Sequence, residues 1–189
     1  MARLTGKKII LGVGGGIAAY KSCDLASRLI KEGASVTVVM TKNARKLVTP
    51  YTFEALTGQP CLTKLFRRIE PQESPFPHIE PARDADLVII APATADLMAK
   101  LAHGLADDLL STLMLTVRCP VIVCPAMNVQ MWEHPATQAN AKTLKRYGYK
   151  LLGPDTGSLA CGMRGAGRLV EPPAIVEEAC RALKPPRRK

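Results

Sequence analysis

Aromatic residues are scarce: Phe, Trp and Tyr together make up 4% of the 189 residues. A surface that stacks nucleic-acid bases needs aromatic faces, so the net charge of +10 is read as suited to small anions, with no nucleic-acid partner expected. The six cysteines, at 23, 61, 119, 124, 161 and 180, form no CxxC pair. That spacing provides no zinc site and no metal is expected, and nothing suggests a disulfide framework. No Ser/His/Asp order presents itself among the three histidines. No apolar run reaches the roughly 18 residues of a membrane span, and the first eight residues, MARLTGKK, contain no apolar signal core. A cytoplasmic protein without membrane contact is the expectation.

What is present is an alternation of short apolar runs and helical stretches. Residues 8–13 (KIILGV) read as a buried parallel strand, followed by a glycine cluster. A helix is expected over 17–30, stopped by Gly33, and a strand over 35–40 (SVTVVM). The pattern resumes with a strand at 86–91, helices over about 95–103 and 106–116, and a strand at 120–124. It closes with a helix over about 137–147, a short strand from 150 and a helix over about 173–183. Strands alternating with helices predict an α/β fold. The reading is a single doubly wound Rossmann-like domain, a parallel sheet with helices on both faces. That domain spans 1–183, and 184–189 (KPPRRK) is a basic tail or the start of a linker. Two segments read as irregular: the proline-containing loop 69–77, and residues 153–168, whose five glycines suggest a mobile flap.

Ligands of doubly wound sheets bind beyond the carboxyl ends of the strands, and candidate residues follow three of them. Gly14, Gly15, Gly16 and Ile17 form a turn between a strand and a helix, where glycines let the backbone approach a phosphate. The GxGxxG pattern fails at Ile17, and the second strand ends in Met40-Thr41 without the acidic residue that holds a ribose hydroxyl. A mononucleotide therefore fits better than a dinucleotide, and a tight turn without ligand stays open. In APATAD (91–96) Thr94 can donate a hydrogen bond, and Asp96 serves equally as a helix cap or as a ligand contact. In PAMNVQMW (125–132) the methionines fit a core role, while the Asn128 amide could donate to a carboxylate. Cys161 sits in a small-residue loop that could deliver a thiol proton. His78 is either a capping residue or a base near neutral pH.

Taken in order, GVGGGIAAYK, His78-Ile79, APATAD, PAMNVQMW and SLACGMRGAGR resemble the homo-oligomeric flavin-containing cysteine decarboxylases over about residues 7–183. PAMNVQMW fits that family's PxMNxxMW pattern, and APATAD is similar to its PASANT segment. The resemblance is strongest to the branch acting on phosphopantothenoylcysteine. It implies FMN as cofactor, with contacts from Gly14–Ile17, Thr41, Ala93, Thr94, Ala95, Asp96 and Ala126. It also implies His78 as base in an oxidative half-reaction toward a thioaldehyde, Asn128 on the substrate carboxylate, and Cys161 as proton donor when the enethiolate is reduced to 4'-phosphopantetheine. Ala160 and Gly162 would flank the substrate, with Arg168 on an anion. A homo-oligomer, trimer or dodecamer, with the flavin between subunits is implied, as is a fused or separate CTP-dependent synthetase domain. A peptidyl-cysteine decarboxylase and a non-catalytic FMN-binding regulatory subunit are the alternatives.

Overall fold

Residues 8–13 send alternate side chains into two buried layers. Ile9, Leu11 and Val13 join one apolar cluster, and Ile10 joins the other. A strand buried on both sides requires helices on both faces of its sheet, and the computed structural model, which describes residues 2–66, 78–160 and 162–184, has that arrangement. The loop expected at 69–77, Cys161 and the last five residues of the tail lie outside the described residues.

Strands β1 (Lys8–Val13), β2 (Ser35–Met40), β3 (Leu87–Ala93), β4 (Val121–Pro125) and β5 (Lys150–Leu151) form one sheet in the order β2-β1-β3-β4-β5. Every pairing in it is parallel. The helices are α1 (Lys21–Lys31), α2 (Pro50–Thr57), α3 (Glu80–Asp84), α4 (Ala95–His103), α5 (Leu109–Met114), α6 (Val129–Glu133), α7 (Pro135–Arg146) and α8 (Pro172–Ala182). One face of the sheet packs on α1, α2 and α8 through Leu25, Leu29, Phe53, Ile175 and Ala179. The other packs on α3, α4, α5 and α7 through Ala82, Leu97, Leu101, Leu110 and Leu144. In this order the chain turns from one direction of winding to the other between β1 and β3, and the crevice beyond those strand ends is the topological switch point.

The main departures of the structure from the sequence expectation are these. Residues 17–20 form a 3-10 turn, so α1 begins only at Lys21. The helix expected over 106–116 is shorter, because Asp108 and Ser111 close a capping box: Ser111 N donates to Asp108 Oδ1 at 2.8 Å and Asp108 N donates to Ser111 Oγ at 3.1 Å. Helix α2 was not foreseen. It begins with Pro50, buries only Phe53 and ends at Gly58 with φ +65°, so little apolar periodicity announces it. The glycine-rich segment contains ordered strands, β6 (Asp155–Ser158) and β7 (Arg164–Arg168), paired antiparallel. Two of its glycines serve close packing: a Cβ at Gly165 would meet Val129 Cγ2 at 2.7 Å, and one at Gly167 would meet the Met127 carbonyl oxygen at 2.3 Å. Met127 N donates to Gly167 O at 2.9 Å, so the hairpin docks directly on the segment after β4.

Candidate active site

Three chain segments leave the carboxyl ends of β1, β3 and β4 and converge. Gly14 N donates to Pro92 O at 3.0 Å, tying the first to the second. Ala126 N donates to Ala93 O at 3.0 Å, tying the second to the third. A Cβ at Gly14 would stand 2.4 Å from Pro92 O, and one at Gly15 would stand 2.3 Å from Asn43 Cβ. Glycine is therefore needed here for the turn to lie against the loop after β2 and the end of β3. Beneath the turn the buried Ser22 of α1 donates to Ala91 O at 2.7 Å, which anchors that helix to the end of β3.

These segments and the β6–β7 hairpin enclose a cavity of about 550 Å³, within the range of roughly 300–1,000 Å³ typical of small-molecule sites. Of the residues singled out from sequence, Gly15, Gly16, Ile17, Thr94, Asp96 and Ala126 line it. So do Asn128, Ala160 and Arg168. The wall is mostly apolar, with Met127, Met131, Leu159 and Leu169 contributing.

Other singled-out residues are not in the wall. Gly14 is the floor of the turn, and Ala93 is fully buried at the end of β3. Thr41 closes the turn after β2: its N donates to Val13 O at 3.1 Å, and its Oγ1 accepts from Ala44 N at 3.2 Å. That turn puts Asn43, not Thr41, on the cavity wall. Ala95 is the first residue of α4. Gly162, with φ +83°, donates its N–H to Leu159 O at 2.9 Å outside the lining. The cap of α4 is Thr94, whose side chain accepts from Leu97 N at 3.2 Å, and not Asp96. Asp96 lies in the first turn, 3.8 Å from Lys100 Nζ. His78 precedes α3, and its carbonyl accepts from Thr116 Oγ1 at 3.0 Å. It belongs to the face carrying α3 and α5 and does not line the cavity. The two remaining histidines have structural partners: His134 Nδ1 accepts from Ala136 N at the start of α7, and His103 Nε2 bonds Asn140 at 3.1 Å. Among the described residues, no cluster of His, Cys, Asp and Glu could hold a metal ion.

Asn128 is fixed by the local fold. It caps α6, its Oδ1 accepting from Gln130 N at 2.8 Å. With the oxygen committed there, the amide presents N–H groups toward the hairpin, where Nδ2 donates to Met163 Sδ at 3.2 Å. A thioether is a weak acceptor, and a carboxylate is a stronger one for the same N–H. Sequence reasoning missed Lys21, Asn43 and Ser158 on the wall. Lys21 and Asn43 follow strand ends closely enough to have been suspected, whereas Ser158 reaches the wall only because the glycine-rich segment folds back as a hairpin.

The sheet order, the glycine turn at the switch point and the mostly apolar cavity beside it define a nucleotide-binding α/β protein of the doubly wound class. Comparison with known sequences is more specific, and the chain belongs to the Flavoprotein family, whose model matches residues 2–184. It is 50% identical over 177 residues to the coenzyme A biosynthesis bifunctional protein CoaBC of Vibrio vulnificus strain YJ016, covering 93% of this chain and 43% of that protein. It is 48% identical over 183 residues to the CoaBC protein of Escherichia coli K12, covering 96% and 44%. The chain thus spans less than half the length of the curated relatives it matches. Among solved structures, it resembles the FMN-dependent cysteine decarboxylase SpaF with 30% identity and a TM-score of 0.82, covering 96% of this chain and 99% of that one. It also resembles a Cys-to-Ser mutant of PPC decarboxylase complexed with pantothenoylaminoethenethiol, with 30% identity and a TM-score of 0.81, covering 92% and 96%.

Proposed function

We propose that the chain binds FMN and decarboxylates 4'-phosphopantothenoylcysteine to 4'-phosphopantetheine, as the cytoplasmic decarboxylase domain, residues 1–183, of a coenzyme A-forming enzyme. The observation that carries this reading is Asn128 in the wall of the switch-point cavity, in a chain half identical to CoaBC proteins and similar in fold to a PPC decarboxylase. The residues present fit FMN. The turn is shaped by glycines that any side chain would push away from Asn43 and Pro92, and an apolar wall extends from it. Gly15, Gly16 and Ile17, with Thr94, Asp96 and Ala126, would hold the cofactor, which when bound supplies two-electron oxidation and reduction.

The protein groups supply placement and protons. Asn128 Nδ2 orients the substrate carboxylate. Leu159, Ala160 and Leu169 shield the reacting carbons from water. His78 takes the thiol proton in the oxidative half, and Cys161 returns a proton in the reductive half. Since His78 stands outside the cavity of its own chain, it acts in the site of a neighbouring copy, as a trimer or dodecamer with the flavin between subunits would require. A CTP-dependent synthetase domain, fused or separate, makes the substrate.

The test is an assay of carbon dioxide and phosphopantetheine, with a cysteine-ended peptide as the competing substrate. Release from phosphopantothenoylcysteine and not from the peptide supports the reading. Turnover of the peptide alone transfers the assignment to a peptidyl-cysteine decarboxylase, and bound flavin without turnover of either points to a regulatory subunit. For the shared site, mixing an inactive His78→Asn chain with an inactive Asn128→Asp chain should restore part of the activity. No restoration after verified subunit exchange would contradict it.

A further inference from the structure

Among the described residues, the charged side chains lining the cavity are Lys21, Asp96 and Arg168. Asp96 stands 3.8 Å from Lys100 Nζ, which lies closer to Asp107 at 2.9 Å and Asp108 at 3.6 Å, so the wall keeps one carboxylate at the start of α4 beside its two cations. The cations come from distant parts of the chain. Lys21 is the first residue of α1, and Arg168 is the last of β7.

A second carboxylate brings the two together. Lys21 Nζ donates to Glu171 Oε1 at 2.8 Å, and Arg168 Nη2 donates to the same oxygen. Lys21 is well enclosed, its side chain only 16% exposed. Arg168 lies flat along the hairpin, where Gly157 gives it room: a Cβ there would meet its Nη1 at 3.2 Å. Two positive charges held by one negative charge leave a surplus of one. An ammonium has three N–H donors and a guanidinium five, and one of each is bonded to Glu171. Cations of this kind suit a phosphate, the Arg as a planar fork and the Lys as a point charge.

We infer that Lys21 and Arg168 form a phosphomonoester subsite in the cavity wall. This rests on the function proposed above, in which two ligands carry such a group: the cofactor and the substrate. The glycine turn offers backbone contacts only, so a second, cationic site is what a second phosphate dianion requires.

The test uses Lys21→Met, which keeps the apolar stem and removes the charge, Arg168→Gln, and Lys21→Arg as the charge-restoring control. The FMN and riboflavin dissociation constants are measured by flavin fluorescence without turnover. KM is measured for phosphopantothenoylcysteine and for pantothenoylcysteine. Loss of one charge-assisted hydrogen bond lowers the preference for a phosphorylated ligand over its dephosphorylated form by roughly tenfold or more, and Lys21→Arg restores most of it. A collapse of the FMN-to-riboflavin preference assigns the subsite to the cofactor, and a collapse of the substrate preference assigns it to the substrate. If neither preference changes in Lys21→Met or Arg168→Gln, the subsite is refuted. Wild-type flavin binding and carbon dioxide release, recorded alongside, show separately whether the proposed function stands.

Discussion

Placing a methyl group on Gly15 tests whether the turn after β1 sits where the structure puts it. A Cβ there would lie 2.3 Å from Asn43 Cβ and 2.9 Å from the Asn43 carbonyl carbon. Carbon atoms pack best at about 3.5–4.0 Å, so the loop after β2 or the turn itself must move by more than about 1 Å. Overpacking of this kind costs about 1–3 kcal/mol. In a chain of 189 residues each kcal/mol shifts the melting temperature by about 2–4 °C, so Gly15→Ala should melt roughly 2–12 °C lower. The neighbouring Gly16→Ala is the control. Gly16 has φ −110°, which any residue adopts, and its nearest obstacle is Thr94 Cγ2 at 3.4 Å. Its melting temperature should stay within about 2 °C of wild type, as for an unstrained substitution. The two variants also separate stability from binding. Both residues line the cavity, so both should lose flavin affinity, and only Gly15→Ala should lose stability. Thermal melts by circular dichroism in the absence of flavin decide the matter. Equal melting temperatures for the two variants would refute the packing of the turn against Asn43.

Three further outcomes are expected. Asn128→Asp keeps an oxygen to cap α6 but removes the amide donors, so carbon dioxide release should fall at least a hundredfold, on the order of 3 kcal/mol for a lost charge-assisted bond; the melting temperature should be retained, since Asp caps as well as Asn, and the paired activity assay and melt check both. The side-chain hydrogen bonds from Arg3 hold the Glu32 carboxyl at about 2 against an ordinary 4.5. A lowered folded pKa contributes stability above the unfolded value and loses it as pH falls toward the folded one, so the urea midpoint should decline between pH 4.5 and 2, less steeply in Glu32→Gln. Burial pushes the Cys61 thiol up to about 12, with Glu54 adding to the effect, and burial pushes Cys124 further up; brief iodoacetamide treatment at pH 8 followed by peptide mapping should leave both unlabelled in the folded protein and labelled in urea.

The parallel core was legible in the chain because strands buried on both faces carry continuous apolar runs. The segments 8–13 and 35–40 coincide with β1 and β2 at both ends. The ends of β3 shifted by one or two residues, because Pro92 and Ala93 continue the buried strand into a segment that reads as a loop. The hairpin β6–β7 was not legible. Its strands, DTGS and RGAGR, have none of the β-branched alternation that announces a strand, and they are held by docking on residues 127–129. Site residues standing directly after strands were found, because position along a doubly wound sheet implies position around its ligand crevice. Lys21 was passed over because its closeness to Arg168 depends on Glu171, 150 residues further along the chain. Thr41 was assigned to the cofactor only through the family resemblance. In the fold its hydroxyl accepts the Ala44 N–H and closes a turn.

An FMN in the switch-point cavity that serves decarboxylation has a spectroscopic signature. The direct measurement is the absorbance spectrum of the purified protein, before and after reconstitution with FMN, followed by addition of phosphopantothenoylcysteine with detection of carbon dioxide. A protein-bound flavin spectrum and carbon dioxide release are expected, with Cys161→Ser still releasing carbon dioxide but accumulating the oxidised, unreduced product in place of phosphopantetheine. A protein that takes up no flavin under any reconstitution would contradict the assignment.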